Sequence, residues 1–229
     1  MFYYYDPTYL LLIPGILLAL YAQFKVTSTF NRFKQVGSRS GLTGAQAARM
    51  ILDSNGCRDV EIEPVRGSLT DHYDPENNVL RLSSEVYGSR SIAAIGVAAH
   101  EAGHAIQDAQ SYAPLAIRAN LVPVANIGSS MAMPLFFLGL LMSWEPLLKV
   151  GILCFAFSVL FYVVTLPVEF NASRRALTTL DSEAILDAEE ISGARKVLGA
   201  AAMTYVTALV TSLMQILRLI LIFGGRRRD

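Results

Sequence analysis

His100-Glu101-Ala102-Gly103-His104 is the stretch of this sequence with the most specific chemistry. The two histidines are four residues apart, so on an α-helix they lie one turn apart on the same face. This spacing allows one tetrahedral zinc ion to take a nitrogen from each ring, and Glu101 lies close enough to hold a water molecule. Two of the three histidines in the chain fall within this stretch. The sequence therefore predicts a zinc site that still needs a third protein ligand.

The composition indicates a membrane protein rather than an ordinary soluble domain. Hydrophobic residues make up 53% of the 229 residues, and charged residues make up only 17%. Such a balance favours segments that cross a bilayer. The 19 basic residues equal the 19 acidic residues, so no net charge points to a nucleic acid. We therefore expect contact with membrane lipid and none with nucleic acid.

Four apolar runs are long enough to cross a bilayer. They cover residues 8–24, 121–143, 147–167 and 198–223. The first run is interpreted as a retained anchor rather than a cleaved signal peptide, because no Lys or Arg precedes it and no clear cleavage site follows. Tyr3, Tyr4 and Tyr5 stand before it, as interfacial aromatic residues do.

The second and third runs are separated only by Trp144-Glu145-Pro146. A link this short forces an antiparallel helical hairpin, so the chain after Pro167 returns to the side of the motif. This pattern predicts five segments along the chain. They are an N-terminal membrane anchor at 1–24, a catalytic portion with the motif helix at 25–120, a transmembrane hairpin at 121–167, a catalytic portion supplying the third ligand at 168–197, and a C-terminal membrane helix with a basic tail at 198–229.

The polar segment before the motif shows signals for helices and strands. Thr43 and Gln46 predict a capping box for a helix through about Ser54, which ends at Asn55-Gly56. Strand spacing at residues 60–65, a turn at 74–78 and a returning strand at 79–82 predict a small hairpin. The returning strand is predicted either to offer an edge to an extended substrate or to be half of a structural hairpin. Ser89 or Ser91 is expected to cap the motif helix, which should end near Ala109.

Glu169 is the first ionisable residue after the hairpin, and it is therefore a candidate third ligand. We expect it near a helix start, where the helix dipole alone would also favour an acid. Glu183 is the rival ligand, with Asp187 as a residue that could orient it. Glu189 and Glu190 are interpreted as a solvated face.

Three stretches resemble the YugP-type neutral zinc metallopeptidases of bacteria. They are His100-Glu101-Ala102-Gly103-His104-Ala105-Ile106-Gln107, Leu69-Thr70-Asp71-His72-Tyr73-Asp74-Pro75 and Pro167-Val168-Glu169-Phe170-Asn171-Ala172-Ser173. The last stretch is more distantly similar to an element of HtpX-type and CAAX-processing membrane proteases, in which the glutamate is the third zinc ligand. The resemblance implies this role for Glu169. Ser173 departs from the aspartate of those relatives, so the contact it would make is either weaker or supplied by another residue such as Asp187.

The fold class predicted from these features is a mainly α membrane protein with about four transmembrane helices. Its catalytic portion is expected to be zincin-like and α+β, with a small β-hairpin. The predicted function is a membrane-anchored zinc endopeptidase that holds one Zn²⁺ per chain through His100, His104 and Glu169 and cleaves membrane or membrane-adjacent proteins. Glu101 is the predicted general base. His72, Tyr73 and Arg174 are alternative donors to the developing oxyanion.

Two other functions remain as alternatives. An intramembrane protease would place the motif inside a long apolar span and take an aspartate as third ligand, and neither feature is seen in the sequence. A non-catalytic membrane scaffold or metal-handling protein would hold a structural zinc, which four protein ligands usually close. Asp71 and Asp74 flank His72 and could indicate a second metal, although turns use such residues routinely.

The distribution of basic residues predicts a multi-pass protein of the cell membrane with its catalytic side in the cytoplasm. The residues on that side are Lys25, Arg32, Lys34, Arg118, Arg174, Arg175, Arg195 and Lys196, against Lys149 in the hairpin link. The N-terminus is then outside. A fourth run that crosses would also place Arg226, Arg227 and Arg228 outside, against the same rule. Either the run does not cross or the other charges dominate, and we favour crossing.

Overall fold

A computed structural model describes residues 7–225, and helices account for most of this range. After a short 3₁₀ helix at Pro7–Leu12, the helices are α1 (Ile13–Lys34), α2 (Gly44–Ser54), α3 (Ser84–Tyr87), α4 (Ile92–Ala109), α5 (Ala113–Leu141), α6 (Glu145–Ser182) and α7 (Ala188–Gly225). The strands are β1 (Glu61–Val65), β2 (His72–Asp74) and β3 (Val79–Ser83). The predictions for the tyrosines at 3–5 and the arginines at 226–228 concern positions outside the described residues.

The chain divides into two compact units. The first, here called the span unit, comprises Met1–Ala22, Ile117–Leu166 and Thr204–Asp229. The second, here called the motif unit, comprises Gln23–Ala116 and Pro167–Met203. The motif unit contains both motif histidines and Glu169, so the candidate site lies within one unit.

Four helical segments of the described chain are long and apolar enough to cross a membrane. They are Pro7–Lys34, Ala113–Leu141, Glu145–Ser182 and Ala188–Gly224. Within the span unit, Gly128 packs on the backbone of Cys154, and Gly139 packs on that of Leu148. Because these contacts pair later residues of α5 with earlier residues of α6, the two helices run antiparallel, as the short link predicts. The prediction of a mainly α membrane protein with about four spans is confirmed.

The helix α4 forms the centre of the motif unit, and most of its residues are buried. Small side chains let its neighbours approach closely: a Cβ added to Gly96 would lie 3.4 Å from the Cβ of Ala194 on α7. The Ser91 hydroxyl caps its N-terminus by accepting a hydrogen bond from the backbone N–H of Ala94 at 3.2 Å. Ser91 is therefore the cap, and the predicted helix end at Ala109 is confirmed.

The helix α2 packs against α4, and its ends follow the prediction. Thr43 and Gln46 form the reciprocal capping box expected from the sequence. At the other end Asn55 is the C-cap, and Gly56 adopts a φ of +81°, which a residue without a Cβ reaches freely. The apolar face of α2 is buried through Ala47, Ala48, Ile51 and Leu52 in the core of the unit.

The sheet has three strands in the order β1-β3-β2. β2 and β3 form an antiparallel hairpin, whereas β1 pairs with β3 in parallel. A hairpin is therefore present, but the predicted pairing of residues 60–65 with the returning strand as a hairpin is wrong, because those strands are parallel. The antiparallel partner of β3 is His72–Asp74, a strand of three residues that the sequence pattern did not reveal. The prediction that the strand at 79–82 could offer an edge to a substrate is wrong, because β3 is the central strand and both of its sides are paired.

The expectation of a helix start near Glu169 is also wrong. α6 runs continuously from Glu145 to Ser182 and includes Pro167 in its interior. A proline removes one backbone hydrogen bond, and a long apolar helix can accommodate that loss. Glu169 therefore lies in the middle of a long helix, where the stabilisation of an acid by a helix N-terminus does not apply.

Candidate metal centre

Two helices bring His100, His104 and Glu169 together. α4 presents the two imidazoles with ring centroids 4.8 Å apart, and α6 presents the carboxylate opposite them. Oε2 of Glu169 lies 3.2 Å from Nε2 of His100 and 3.6 Å from Nε2 of His104. His104 and Glu169 are buried, while His100 is partly buried. One acid distant in the sequence therefore meets both rings at their Nε2 atoms.

The spacing of these three groups suits a zinc ion. One ligand atom from each residue can be chosen so that all three lie within 4.8 Å of one another. A tetrahedral zinc with bonds of about 2.1 Å needs donor atoms about 3.4 Å apart, close to the measured separations. Two imidazoles and one carboxylate also form a common catalytic zinc donor set that leaves a fourth position open. In the described part of the chain, no second cluster of three such residues occurs.

The other nitrogen of each imidazole has its own partner. Nδ1 of His100 lies 3.0 Å from the Ser173 hydroxyl, and Nδ1 of His104 lies 3.0 Å from Oε1 of Gln107. Such contacts orient metal-binding histidines and keep Nε2 directed at the metal position. Ser173 itself makes the contact that the aspartate of the distant relatives was expected to make. The suggestion that Asp187 replaces it is wrong.

Glu101 is partly buried beside the imidazoles. Burial raises the pKa of Glu101 above its ordinary value, and the charges of Glu169 and Asp71 add to this effect while the two imidazoles oppose it. Burial alone would lower the pKa of His104, but the carboxylates of Glu169 and Glu101 hold it above the usual value. The region between these side chains therefore favours positive charge.

The other acidic candidates lie away from this cluster. Glu183 is exposed in the turn after α6 and is absent from the metal-binding group. Asp187 pairs with Arg39 and accepts hydrogen bonds from the first backbone N–H groups of α7. Glu190 is buried and accepts hydrogen bonds from the backbone N–H groups of Arg39 and Asp187. The interpretation of Glu190 as part of a solvated face is therefore wrong, because its carboxylate is buried against these backbone groups. Glu189, in contrast, is exposed.

The three candidate oxyanion donors lie on two elements, His72 and Tyr73 on β2 and Arg174 on α6. His72 is exposed on β2, with Nδ1 2.8 Å from the carbonyl oxygen of Thr70. The Tyr73 hydroxyl donates to Asp108 at 3.0 Å, and burial together with Asp108 raises the pKa of Tyr73. Arg174 is exposed on α6.

Asp71 and Asp74 have structural partners in the sheet region. The Asp71 carboxylate accepts hydrogen bonds from the backbone N–H and the hydroxyl of Ser83. The Asp74 carboxylate accepts one from Arg81. Asp74 also accepts hydrogen bonds from the backbone N–H groups of Glu76 and Asn77, as turn chemistry predicts, whereas Asp71 bonds to β3 instead.

Sequence reasoning missed three residues that surround the cluster. Gln107 is fully buried and contacts His104 from the next turn of α4. Asn171 and Arg175 lie one and two turns after Pro167 on α6. The Asn171 side-chain oxygen accepts hydrogen bonds from the Gln107 amide and from Arg175. The spacing of three residues between His104 and Gln107 could have identified the first of them, since such pairs face each other on a helix. Finding the other two required knowing how α6 faces α4.

Two histidines one turn apart on a helix, a glutamate beside them and an acid from another helix form an arrangement typical of zinc metallopeptidases. The four apolar helices are long enough to cross a membrane. The chain belongs to the neutral zinc metallopeptidase family: the family model described as "Putative neutral zinc metallopeptidase" matches residues 8–224. The resemblance of the three sequence stretches is thereby confirmed.

The chain is also similar to a curated protein of Bacillus subtilis (strain 168) named "Putative membrane protease YugP". The two are 50% identical over 219 residues, which cover 96% of this chain and 97% of the relative. The similarity therefore includes both the span unit and the motif unit. No solved structure matched the chain.

Proposed function

We propose that the protein is a membrane-anchored zinc endopeptidase that holds one zinc ion per chain through His100, His104 and Glu169. The observation that carries this proposal is the meeting of the three side chains within 4.8 Å at the centre of the motif unit. The family and the name of the Bacillus relative support peptide-bond hydrolysis at a membrane. The substrates proposed are membrane or membrane-adjacent proteins and peptides.

Zinc bound there would supply a Lewis acid that polarises the scissile carbonyl and acidifies a water molecule. Glu101 is the proposed general base, which accepts the proton of the attacking water and passes it to the leaving amine. A carboxyl whose pKa lies above the ordinary value, as burial makes that of Glu101, is better suited to return the proton.

We propose that the protein lies in the cell membrane with the motif unit in the cytoplasm. Basic residues of the motif unit support this orientation: Lys25, Arg32, Lys34, Arg174, Arg175, Arg195 and Lys196 outnumber Lys149 of the hairpin link. Protease protection of a tag at each terminus tests it. Digestion of both tags in spheroplasts without lysis supports the orientation, and protection of the N-terminal tag contradicts it.

The decisive test of the activity is the Glu101→Gln variant of the full chain. The amide keeps the size of the side chain but cannot accept a proton in the same way, so hydrolysis of an unfolded protein should fall by about 10²–10⁴-fold. Zinc content should equal that of the wild type, since Glu101 is not a proposed ligand. The exposed Glu183→Gln variant is the control.

Two results would contradict the proposed function. Wild-type turnover by Glu101→Gln would show that Glu101 is not the base. A wild-type protein that binds one zinc and cleaves no unfolded protein, with or without chelator, would instead favour a zinc-stabilised membrane scaffold.

A further inference from the structure

An unbroken chain of hydrogen bonds connects His104 to Arg175 through two amide side chains. Nδ1 of His104 lies 3.0 Å from Oε1 of Gln107. The Gln107 amide nitrogen donates to Oδ1 of Asn171 at 2.9 Å. The same oxygen accepts a hydrogen bond from Nε of Arg175 at 2.7 Å. A guanidinium on α6 is thus linked to an imidazole on α4.

The chemistry of the donors fixes the direction of this chain. A guanidinium can only donate, so the Asn171 atom that faces Arg175 is the oxygen. The Gln107 atom that faces this oxygen must then be the amide nitrogen. Its second hydrogen is also used, because the nitrogen donates to the backbone carbonyl of Val168 at 2.8 Å. The atom of Gln107 left to face His104 is the oxygen, which can only accept.

The proton of a neutral His104 therefore belongs on Nδ1. With Nδ1–H donating to Gln107, the lone pair of the ring is on Nε2, which is the nitrogen that faces Oε2 of Glu169 at 3.6 Å. Two acceptor atoms cannot bond to each other, so a cation between them satisfies both. Gln107 is fully buried, so water is a poor competitor for its amide.

We propose that Gln107, Asn171 and Arg175 are positioning residues that hold neutral His104 in the tautomer with its proton on Nδ1, so that the lone pair of Nε2 faces the metal position. The inference rests on the proposed function, because it assigns a task toward the proposed zinc site.

His100 differs from His104 in this respect. Its partner is the Ser173 hydroxyl, which can either donate or accept, so that contact alone does not select a tautomer. The tautomer of neutral His104 is therefore fixed before the metal binds, whereas the tautomer of His100 can change as the metal binds.

Arg175 is suited to anchor the chain because it is held at several points. Besides Asn171, its guanidinium donates to Oε1 of Gln110 at 2.5 Å and lies 5.8 Å from the ring centroid of Tyr112. Gln110 and Tyr112 belong to the segment that follows α4. The guanidinium thus joins the end of α4 to α6 while it orients Asn171.

The tautomer is measured directly by nitrogen NMR of the metal-free, detergent-solubilised full chain labelled with ¹⁵N-histidine. The chain has only three histidines, so ring signals are few and the His104 signals are identified by their loss in His104→Gln. Above the pH at which the imidazoles lose their charge, the wild type should show His104 with its proton on Nδ1. Gln107→Ala and Asn171→Ala should show a mixture of tautomers.

Zinc affinity, measured by chelator competition, provides the second readout. Gln107→Ala and Asn171→Ala should weaken zinc binding by about 10–100-fold, the usual effect of removing a partner of a metal-bound histidine. Asn171→Asp should restore the affinity, because a carboxylate oxygen can accept from both Arg175 and Gln107. Thr178→Ala, at an exposed position on the same helix, is the control and should match the wild type.

The inference is overturned if Gln107→Ala and Asn171→Ala keep both the Nδ1 proton and wild-type zinc affinity, or if Asn171→Asp is as impaired as Asn171→Ala. A general loss of structure would impair all three variants alike, so the rescue separates positioning from folding. A failure of the proposed function looks different: the wild type would then bind no zinc or cleave no substrate, while the tautomer of the metal-free ring would still be measurable.

Discussion

Gly103 of α4 lies against the backbone carbonyl of Ala172 on α6, so closely that a Cβ added to Gly103 would be 2.6 Å from that oxygen. Backbone cannot move aside as a flexible side chain can. The proposed ligands Glu169 and His104 lie within one turn of this contact on their respective helices. The close approach of the two helices therefore sets the distance between the carboxylate and the imidazoles.

The Gly103→Ala variant should separate α4 from α6. We expect the free energy of unfolding to fall by about 1–3 kcal/mol, as for other insertions into a packed core. Zinc affinity should fall as well, because Glu169 moves away from the imidazoles. Thermal unfolding and chelator competition measure the two effects. Gly96→Ala is the matched control, since its Cβ would meet Ala194 at an ordinary 3.4 Å. Equal behaviour of the two variants would refute this account of Gly103.

The Ser173→Ala variant tests the contact to His100. Without the hydroxyl 3.0 Å from Nδ1, the ring is less firmly oriented, and zinc binding should weaken by about 10-fold or more. The measurement is competition for zinc by a chelator of known affinity. Ser182→Ala serves as control, because its exposed hydroxyl donates to the carbonyl of Thr179 near the end of α6. An unchanged affinity in Ser173→Ala would show that the contact has no role in zinc binding.

Asp74 should make the stability of the hairpin depend on pH. Hydrogen bonds from Asn77 and Arg81 hold the pKa of Asp74 well below its usual range. A carboxyl with a depressed pKa in the folded state adds stability above its unfolded pKa of about 3.9, and this stability is lost as the pH falls through the folded value. Asp74→Asn should therefore lower the Tm at pH 7, and its difference from the wild type should shrink below about pH 5.

Glu76→Gln is the control for this prediction, because it changes an exposed carboxylate in the same turn. Its Tm should follow that of the wild type across the same pH range. If the effect of Asp74→Asn were constant down to pH 3, the ionised carboxylate would not be the source of the stability.

Local signals in the sequence predicted the parts of the fold that depend on neighbouring residues. The structure confirms the capping box of Thr43 and Gln46, the cap at Ser91 and the four apolar runs. Each of these features depends on residues that are close together in the sequence. The proximity of Glu169 to the motif histidines followed from the short hairpin link, which limits where the chain can return. Its role as a ligand stays a prediction.

The remaining features depend on how distant segments meet. Nothing near Glu169 shows that α6 continues through Pro167, because a proline after an apolar run more often ends a helix. β2 is too short to produce an alternating pattern, and its existence depends on pairing with β3. Glu190 looks solvated in the sequence because one of its hydrogen-bond partners, the backbone N–H of Arg39, lies 151 positions earlier.

The most direct test of the central claim is the zinc content of Glu169→Gln, measured by elemental analysis of the purified full chain. An amide cannot replace the carboxylate as an anionic ligand, so we expect one zinc per chain in the wild type and in Glu183→Gln, and loss of most of the zinc in Glu169→Gln. A full equivalent of zinc in Glu169→Gln, with wild-type affinity, would contradict the assignment of the third ligand and with it the proposed site.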